Sequence, residues 1–372
     1  MTIKNQQSQK IPNPVATTPA GGRFEALDAL RGLCAIAVLF YHASFISALK
    51  LAPSAYLAVD MFFLMSGFVI AHAYEGRLLA GKYFQTFLIK RYGRFAPMWL
   101  IGVGLGFIAT IPGNLHSHDW LGGFIAVITA LALMPSPTSP TLFPLSTQGW
   151  SLFGEIMINL AYGAALVRLS TLWLAFLTAL TFAILVVDTV ARGKGLDFGY
   201  RWDEIDMTFL RATFGFLAGV VLCRMVSTFV VPPLPDSLAW VIFGAVIVIM
   251  LSPVPNTYRA GFDLTTILTL FPLIVLLLSQ AKSSHKSFEV LGAISYPLYT
   301  IHLGVFMIIQ TATGLVTNWR LTSIDNTSAL FICIILINIA YIFGKWIDPW
   351  CQGAIAKRLR ITRPHLPGDG KF

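Results

Sequence analysis

Stretches of roughly twenty apolar residues recur along this chain, near 28–48, 56–76, 94–112, 150–168, 170–190, 207–224, 238–251, 263–280, 289–314 and 327–346. Inside a bilayer no water hydrogen-bonds the backbone, so each such stretch must satisfy its own N–H and C=O groups, which a helix does. The 372 residues are 56% hydrophobic and 12% charged, with a mean hydropathy of +0.72, against roughly 25% charged residues in ordinary soluble domains. The expected fold class is an all-α polytopic membrane protein, a bundle of about ten transmembrane helices. Segment 120–134 (WLGGFIAVITALALM) is too short to span and reads as re-entrant or interfacial, with an eleventh span left open.

Residues 1–22 are polar and Pro/Gly-punctuated without an apolar run, the pattern of a disordered tail rather than a signal peptide. In the ten-span arrangement nineteen Lys and Arg fall on one side and six on the other. Cytoplasmic loops carry that excess, so both termini are expected in the cytoplasm, and 351–372 reads as a basic cytoplasmic tail. The net charge of +9 and pI near 9.5 are dispersed over membrane-flanking loops, which fits lipid head groups and topology rather than nucleic acid. Cys34, Cys223, Cys333 and Cys351 show neither disulfide nor metal spacing. No interior loop is long enough to fold alone.

Ionisable groups inside the spans are costly and therefore informative. Asp28, Arg31 and His42 share one face of the first span: the eleven-residue step from Arg31 to His42 leaves them about 20° apart around the helix and roughly 16 Å apart along it. They can serve two ends of one long substrate. Arg31 either snorkels to the interface beside Asp28 or meets a substrate, and His42 is either a helix-packing hydrogen-bonder or a general base for a hydroxyl. Asp60 opens the second span at a depth comparable to His42 and could orient the imidazole, while Ser66 and Gly67 suit close helix contact.

Arg91 and Arg94 lie one turn apart in KRYGRFAP between spans two and three, a topology signal or a phosphate clamp. Ser151, Glu155 and Asn159 recur at i, i+4 and i+8 in the fourth span, with Glu155 expected about 7 Å below the outer surface near His42. Trp150 is an aromatic-belt anchor or stacks on a sugar ring. Arg211 snorkels or pairs with Glu155. In the ninth span Ser295, Tyr299 and His302 share a face, and Pro297 frees a carbonyl one turn earlier, the shape of a kinked, ligand-lining helix. The NLHSHDW cluster (His116, His118, Asp119) looks superficially like a metal site, but its spacing is short and no further ligands are evident, so no metal is expected.

LDALRG with a His eleven residues after the Arg, VDMFFLMSGF, KRYGRFAP, WSLFGE and SYPLYTIH, in that order, resemble the acyltransferase 3 family of membrane O-acyltransferases over about Phe24 to Trp346. The resemblance implies a ten-helix domain, here 23–350, in the bacterial inner membrane. It implies transfer of an acyl group, often acetyl, from cytoplasmic acyl-CoA as co-substrate to a hydroxyl of an envelope or secreted glycan or glycolipid. It places the essential histidine on His42, the first-helix arginine on Arg31 and the paired cytoplasmic arginines on Arg91 and Arg94. Trp150, Ser151 and Glu155 match the WSL-x-x-E pattern. No permanently bound cofactor is implied.

Many relatives carry a fused extracytoplasmic hydrolase-like domain, and this chain ends shortly after its last span, so either an extracytoplasmic partner protein completes the transfer or the bundle acts alone. On this reading Arg31, Arg91 and Arg94 hold the acyl-CoA phosphates. His42, oriented by Asp60 or Glu155, deprotonates the acceptor or briefly carries the acyl group, while Trp150, Ser151, Ser295, Tyr299 and His302 shape the acceptor site. The rivals are a transporter or flippase of a glycan or small molecule, a structural membrane subunit, and O-acylation of a small secreted metabolite.

Overall fold

The structure, a computed structural model, describes residues 24–81, 83–117, 120–226, 234–281, 285–317 and 323–358. In chain order its helices are α1 (Glu25–His42), α2 (Ala58–Leu79), α3 (Phe84–Ser117), α4 (Trp120–Leu131), α5 (Gly149–Ala164), α6 (Thr171–Arg192), α7 (Ile205–Val226), α8 (Asp236–Leu251), α9 (Asn256–Thr265), α10 (Phe271–Leu278), α11 (Lys286–Val316), α12 (Asn326–Ile342) and α13 (Asp348–Arg358). Each apolar stretch expected to span coincides with a helix, but among the described residues eight helical segments rather than ten are long and apolar enough to cross a membrane, α5 and α8 having 16 residues each. The protein is an all-α polytopic membrane protein. At 12 residues α4 reaches roughly 18 Å, well short of a hydrocarbon core of about 30 Å. His118 and Asp119 lie outside the described residues, as do the first 22 residues and the end of the expected basic tail. The start of that tail, up to Arg358, is helical in α13.

Where lipid surrounds the helices, helix association depends on close packing rather than on a solvent-driven hydrophobic effect. The main partners are α1 with α11, α2 with α7, α3 with α11 and α6 with α7. Glycines set the closest crossings: a Cβ at Gly32 would overlap the Leu291 carbonyl of α11, and one at Gly67 would overlap the Phe216 carbonyl of α7. Two π-helical turns, Thr266–Leu270 and Phe343–Ile347, precede Pro272 and Pro349. Proline lacks an N–H and its ring crowds the carbonyl four residues back, and a widened turn accommodates both. Each π turn joins two helices into one continuous span.

Two features depart from the sequence expectation and shape the site. The third helix begins at Phe84 rather than near 94 and runs 34 residues, so Arg91 and Arg94 keep the shared helical face expected of them but belong to the span itself. The linker before α5 does not stay at the surface. Leu142, Phe143 and Leu145 are buried, Gln148 Nε2 donates to the Thr300 carbonyl of α11 at 2.8 Å, and the Leu145 carbonyl packs where a Cβ on Gly106 would sit. The 16-residue α5 therefore starts inside the bundle.

Gly67→Ala is expected to cost on the order of 1–3 kcal/mol by forcing α2 away from α7. Gly76→Ala, where a new Cβ meets nothing within 4 Å, should leave stability unchanged or slightly raised through helix propensity. Thermal unfolding of the two variants in detergent distinguishes these outcomes.

Candidate active site

A cavity of about 730 Å³ opens among α1, α2, α3, α5, α11 and the α12–α13 junction. Its lining includes five cations, Arg31, Arg91, Arg94, Lys286 and Lys345, four carboxylates, Asp28, Glu155, Glu289 and Asp348, and the neutral side chains of Phe62, Ser151 and Tyr299. Arg31 Nη1 donates to Asp28 Oδ1 at 2.7 Å, one turn back on α1. Arg91 Nη2 donates to Glu155 Oε1 at 2.9 Å, and Ser66 Oγ donates to the same oxygen at 2.6 Å. Arg91 Nε is buried without a hydrogen-bond partner among the described residues. Arg94 is exposed and forms no ion pair among them. The cations are thus neutralised only in part, which suits an anion carrying several charges.

Glu155 is a correction to the sequence reading. Helix depth places it near the outer surface beside His42, and it is bound to Arg91 in the cavity instead. That depth holds only for a helix starting at the membrane surface, and the buried linker removes the condition. Ser151, one turn earlier, shares a 2.6 Å hydrogen bond with Tyr299 Oη of α11. Ser295 lines the cavity one turn before Tyr299. Asn159, the last member of the α5 stripe, is buried, and neither atom of its amide meets a partner among the described residues.

His42 and His302 meet between α1 and α11, with Nδ1 of His42 2.8 Å from Nε2 of His302 and ring planes within 16°. Hydrogen-bond logic fixes both tautomers. His302 Nδ1 lies 2.9 Å from the Leu298 carbonyl, which can only accept, so the proton sits on Nδ1 and Nε2 carries a lone pair. His42 must then donate from Nδ1, which leaves its own Nε2 unprotonated and available to take a proton. Tyr299 links this pair to the cavity: its ring lies 6.2 Å from His302 and 5.6 Å, edge-on, from Phe62.

Asp60 is the second correction. Both of its carboxylate oxygens accept from Arg211, Oδ1 from Nε at 3.0 Å and Oδ2 from Nη2 at 2.7 Å, with both side chains almost fully buried. His42 is therefore held by His302 and not by a carboxylate. Arg211 also donates to the carbonyls of Phe198 and Tyr56 at 2.6 and 3.2 Å. Its guanidinium lies 5.0 Å from the centre of the Trp150 ring. Trp150 is buried under that cation, which removes it from the aromatic belt and from sugar stacking. Arg211 neither snorkels nor pairs with Glu155, because the α2–α7 crossing delivers it to Asp60.

Sequence reasoning passes over Tyr41, whose hydroxyl donates to Asp197 Oδ2 at 2.6 Å, and Asp263, which accepts from Tyr56 Oη at 2.8 and 2.9 Å. Tyr41 adjoins His42 in sequence, and that adjacency is the signal that could have found it. A buried ion pair that loses one partner leaves an uncompensated charge. Arg211→Met or Asp60→Asn should therefore each lower stability by about 3–5 kcal/mol, whereas the double replacement should cost less than the two single losses combined, as read by thermal unfolding in detergent.

The family model described as "Acyltransferase domain" matches residues 24–344. Among curated proteins, "Protein 2 in picA locus" of Rhizobium radiobacter is similar at 34% identity over 155 residues, which covers 38% of this chain and 81% of that protein. No solved structure matches. The match takes in α1 to α11 and all of α12, including Arg31, His42, Arg91, Arg94, Glu155 and His302. The chain belongs to the acyltransferase 3 family and is a multi-pass membrane acyltransferase.

Proposed function

We propose that the protein is an O-acyltransferase of the bacterial inner membrane that moves an acyl group, acetyl by preference, from cytoplasmic acyl-CoA to a hydroxyl of an envelope or secreted glycan or glycolipid. The observation that carries this reading is the lining of the 730 Å³ cavity: five cations set among four carboxylates (Asp28, Glu155, Glu289 and Asp348), with Arg94 in no ion pair among the described residues, then neutral Ser151 and Tyr299, and the His302–His42 pair just beyond Tyr299. A donor with a phosphorylated head and an uncharged arm fits that gradient. Arg31, Arg91 and Arg94 would grip the phosphates, and the arm would run inward past Ser295 toward Tyr299. The excess of Lys and Arg on this side supports a cytoplasmic mouth and cytoplasmic termini.

In the proposed transfer, His42 Nε2 takes the proton of the acceptor hydroxyl as its oxygen attacks the thioester carbonyl. The carbon–sulfur bond breaks, and the proton passes from the imidazolium to the leaving thiolate. His302 acts as a positioning residue, holding the proton of His42 on Nδ1 and accepting from the imidazolium as it forms. Glu155 and Asp60 take supporting roles, Glu155 orienting Arg91 and Asp60 anchoring Arg211.

His42→Ala should lower acyl transfer on the order of 10²–10⁴-fold, the usual worth of a general base, with membrane insertion unchanged; undiminished CoA release would defeat the mechanism. Arg91→Met and Arg94→Met should each raise the KM for acetyl-CoA about 10- to 150-fold, equivalent to about 1.5–3 kcal/mol per charge-assisted hydrogen bond. Steady-state CoA release by protein in lipid nanodiscs measures both effects. A transporter would show dependence on an ion gradient and no CoA release.

A further inference from the structure

The proposed reaction needs a second substrate at His42, and the imidazole has polar and aromatic neighbours that the donor cavity does not use. Tyr41 stands edge-on to His42 with ring centres 5.1 Å apart, and its hydroxyl donates to Asp197 Oδ2 at 2.6 Å. Asp197 belongs to the α6–α7 connection, which is fixed on both sides of it. Leu196 N donates to Asp263 at 2.8 Å, Phe198 O accepts from Arg211 at 2.6 Å, Gly199 N donates to Glu204 at 3.1 Å and Gly199 O accepts from the Thr208 hydroxyl. None of these bonds engages the Asp197 carboxylate. Its Oδ1 accepts no hydrogen bond from a described residue, and the side chain is only partly buried.

Phe45 completes the surroundings. Its ring lies nearly parallel to that of His42, at 16° and 5.2 Å, and the residue is 54% exposed. A half-used carboxylate reached through the Tyr41 that adjoins His42, and an open aromatic ring against a histidine with a free Nε2, match the two kinds of surface on a sugar, its hydroxyl edge and its C–H face.

We infer that Asp197, Tyr41 and Phe45 form the acceptor site, and that it takes a neutral sugar ring bearing neighbouring hydroxyls. One hydroxyl donates to Asp197 Oδ1 and so turns its neighbour toward His42 Nε2. A simple alcohol leaves the carboxylate unused, and an anionic acceptor is repelled by it. This assignment rests on the acyl-CoA reading and adds the residues that hold and select its acceptor.

The test uses the full chain in nanodiscs with acetyl-CoA, following CoA release with methyl glycosides of glucose, galactose, mannose and rhamnose and with 1-butanol. The wild type should favour the best glycoside over 1-butanol by at least tenfold in kcat/KM. Asp197→Asn should shrink that ratio at least tenfold, mainly through the glycoside KM. Tyr41→Phe, which keeps the carboxylate, should shrink it less. Phe45→Ala, at an exposed position, should raise the glycoside KM several-fold and serves as the arbiter where Asp197→Asn does not fold. A ratio unchanged in both Asp197→Asn and Phe45→Ala, or a wild type that acylates 1-butanol as readily as any glycoside, overturns the sugar site and leaves acyl transfer standing. A wild type that releases no CoA with any acceptor defeats the acyl-CoA reading, and the sugar site falls with it.

Discussion

The buried pair of Asp60 and Arg211 ties α2, α7, the α6–α7 connection and the start of α5 together. It links α2 to α7, and through the further bonds of the guanidinium it fastens the Phe198 and Tyr56 carbonyls and the face of Trp150 on α5. A charge pair in this setting is held by geometry: every oxygen and most of the N–H groups must find partners or the desolvation cost is not recovered. The glycine crossing of α2 and α7 supplies that geometry by bringing the two backbones into contact. The α6–α7 connection on one side and the start of α5 on the other take their positions from these anchors.

The helical architecture is legible in the sequence because lipid leaves so few alternatives: a run of apolar residues of the right length has to be a helix, and each expected span coincides with one. The alignment of Asp28, Arg31 and His42 on α1 is legible for the same reason, since helical periodicity fixes direction once the helix is certain. The relation of Ser295, Tyr299 and His302 on α11 comes out equally, and His302 meets His42 because α1 and α11 pack together.

Depth and pairing between helices are not legible. Hydropathy marks where a segment is apolar but not where it sits along the membrane normal, and the buried linker of Leu142, Phe143 and Leu145 sinks the start of α5 into the bundle. Glu155 moves with it from the expected company of His42 to that of Arg91. Depth alone matches Asp60 to His42, whereas the direction in which α7 presents Arg211 decides its partner. Asp197 escapes sequence reasoning because it lies in an irregular connection, where no periodicity gives a side chain's direction.

Phe62, Ser151 and Tyr299 line the cavity, Tyr299 lies beside His302, and neither His42 nor His302 is among the residues that line it. A water-filled route joining the two faces would short-circuit the ion gradient of the membrane around it, at about 2.3 kcal/mol for each charge falling through 100 mV. The rings of Phe62 and Tyr299 and the Ser151–Tyr299 hydroxyl pair lie where the cavity lining approaches His302. On the proposed reading, the electrical consequence lies in where charge resides: ionised groups stay among the charged lining residues, and only uncharged atoms pass the aromatic layer. On that same reading, the protein passes a chemical group toward the other side of the membrane while remaining an insulator.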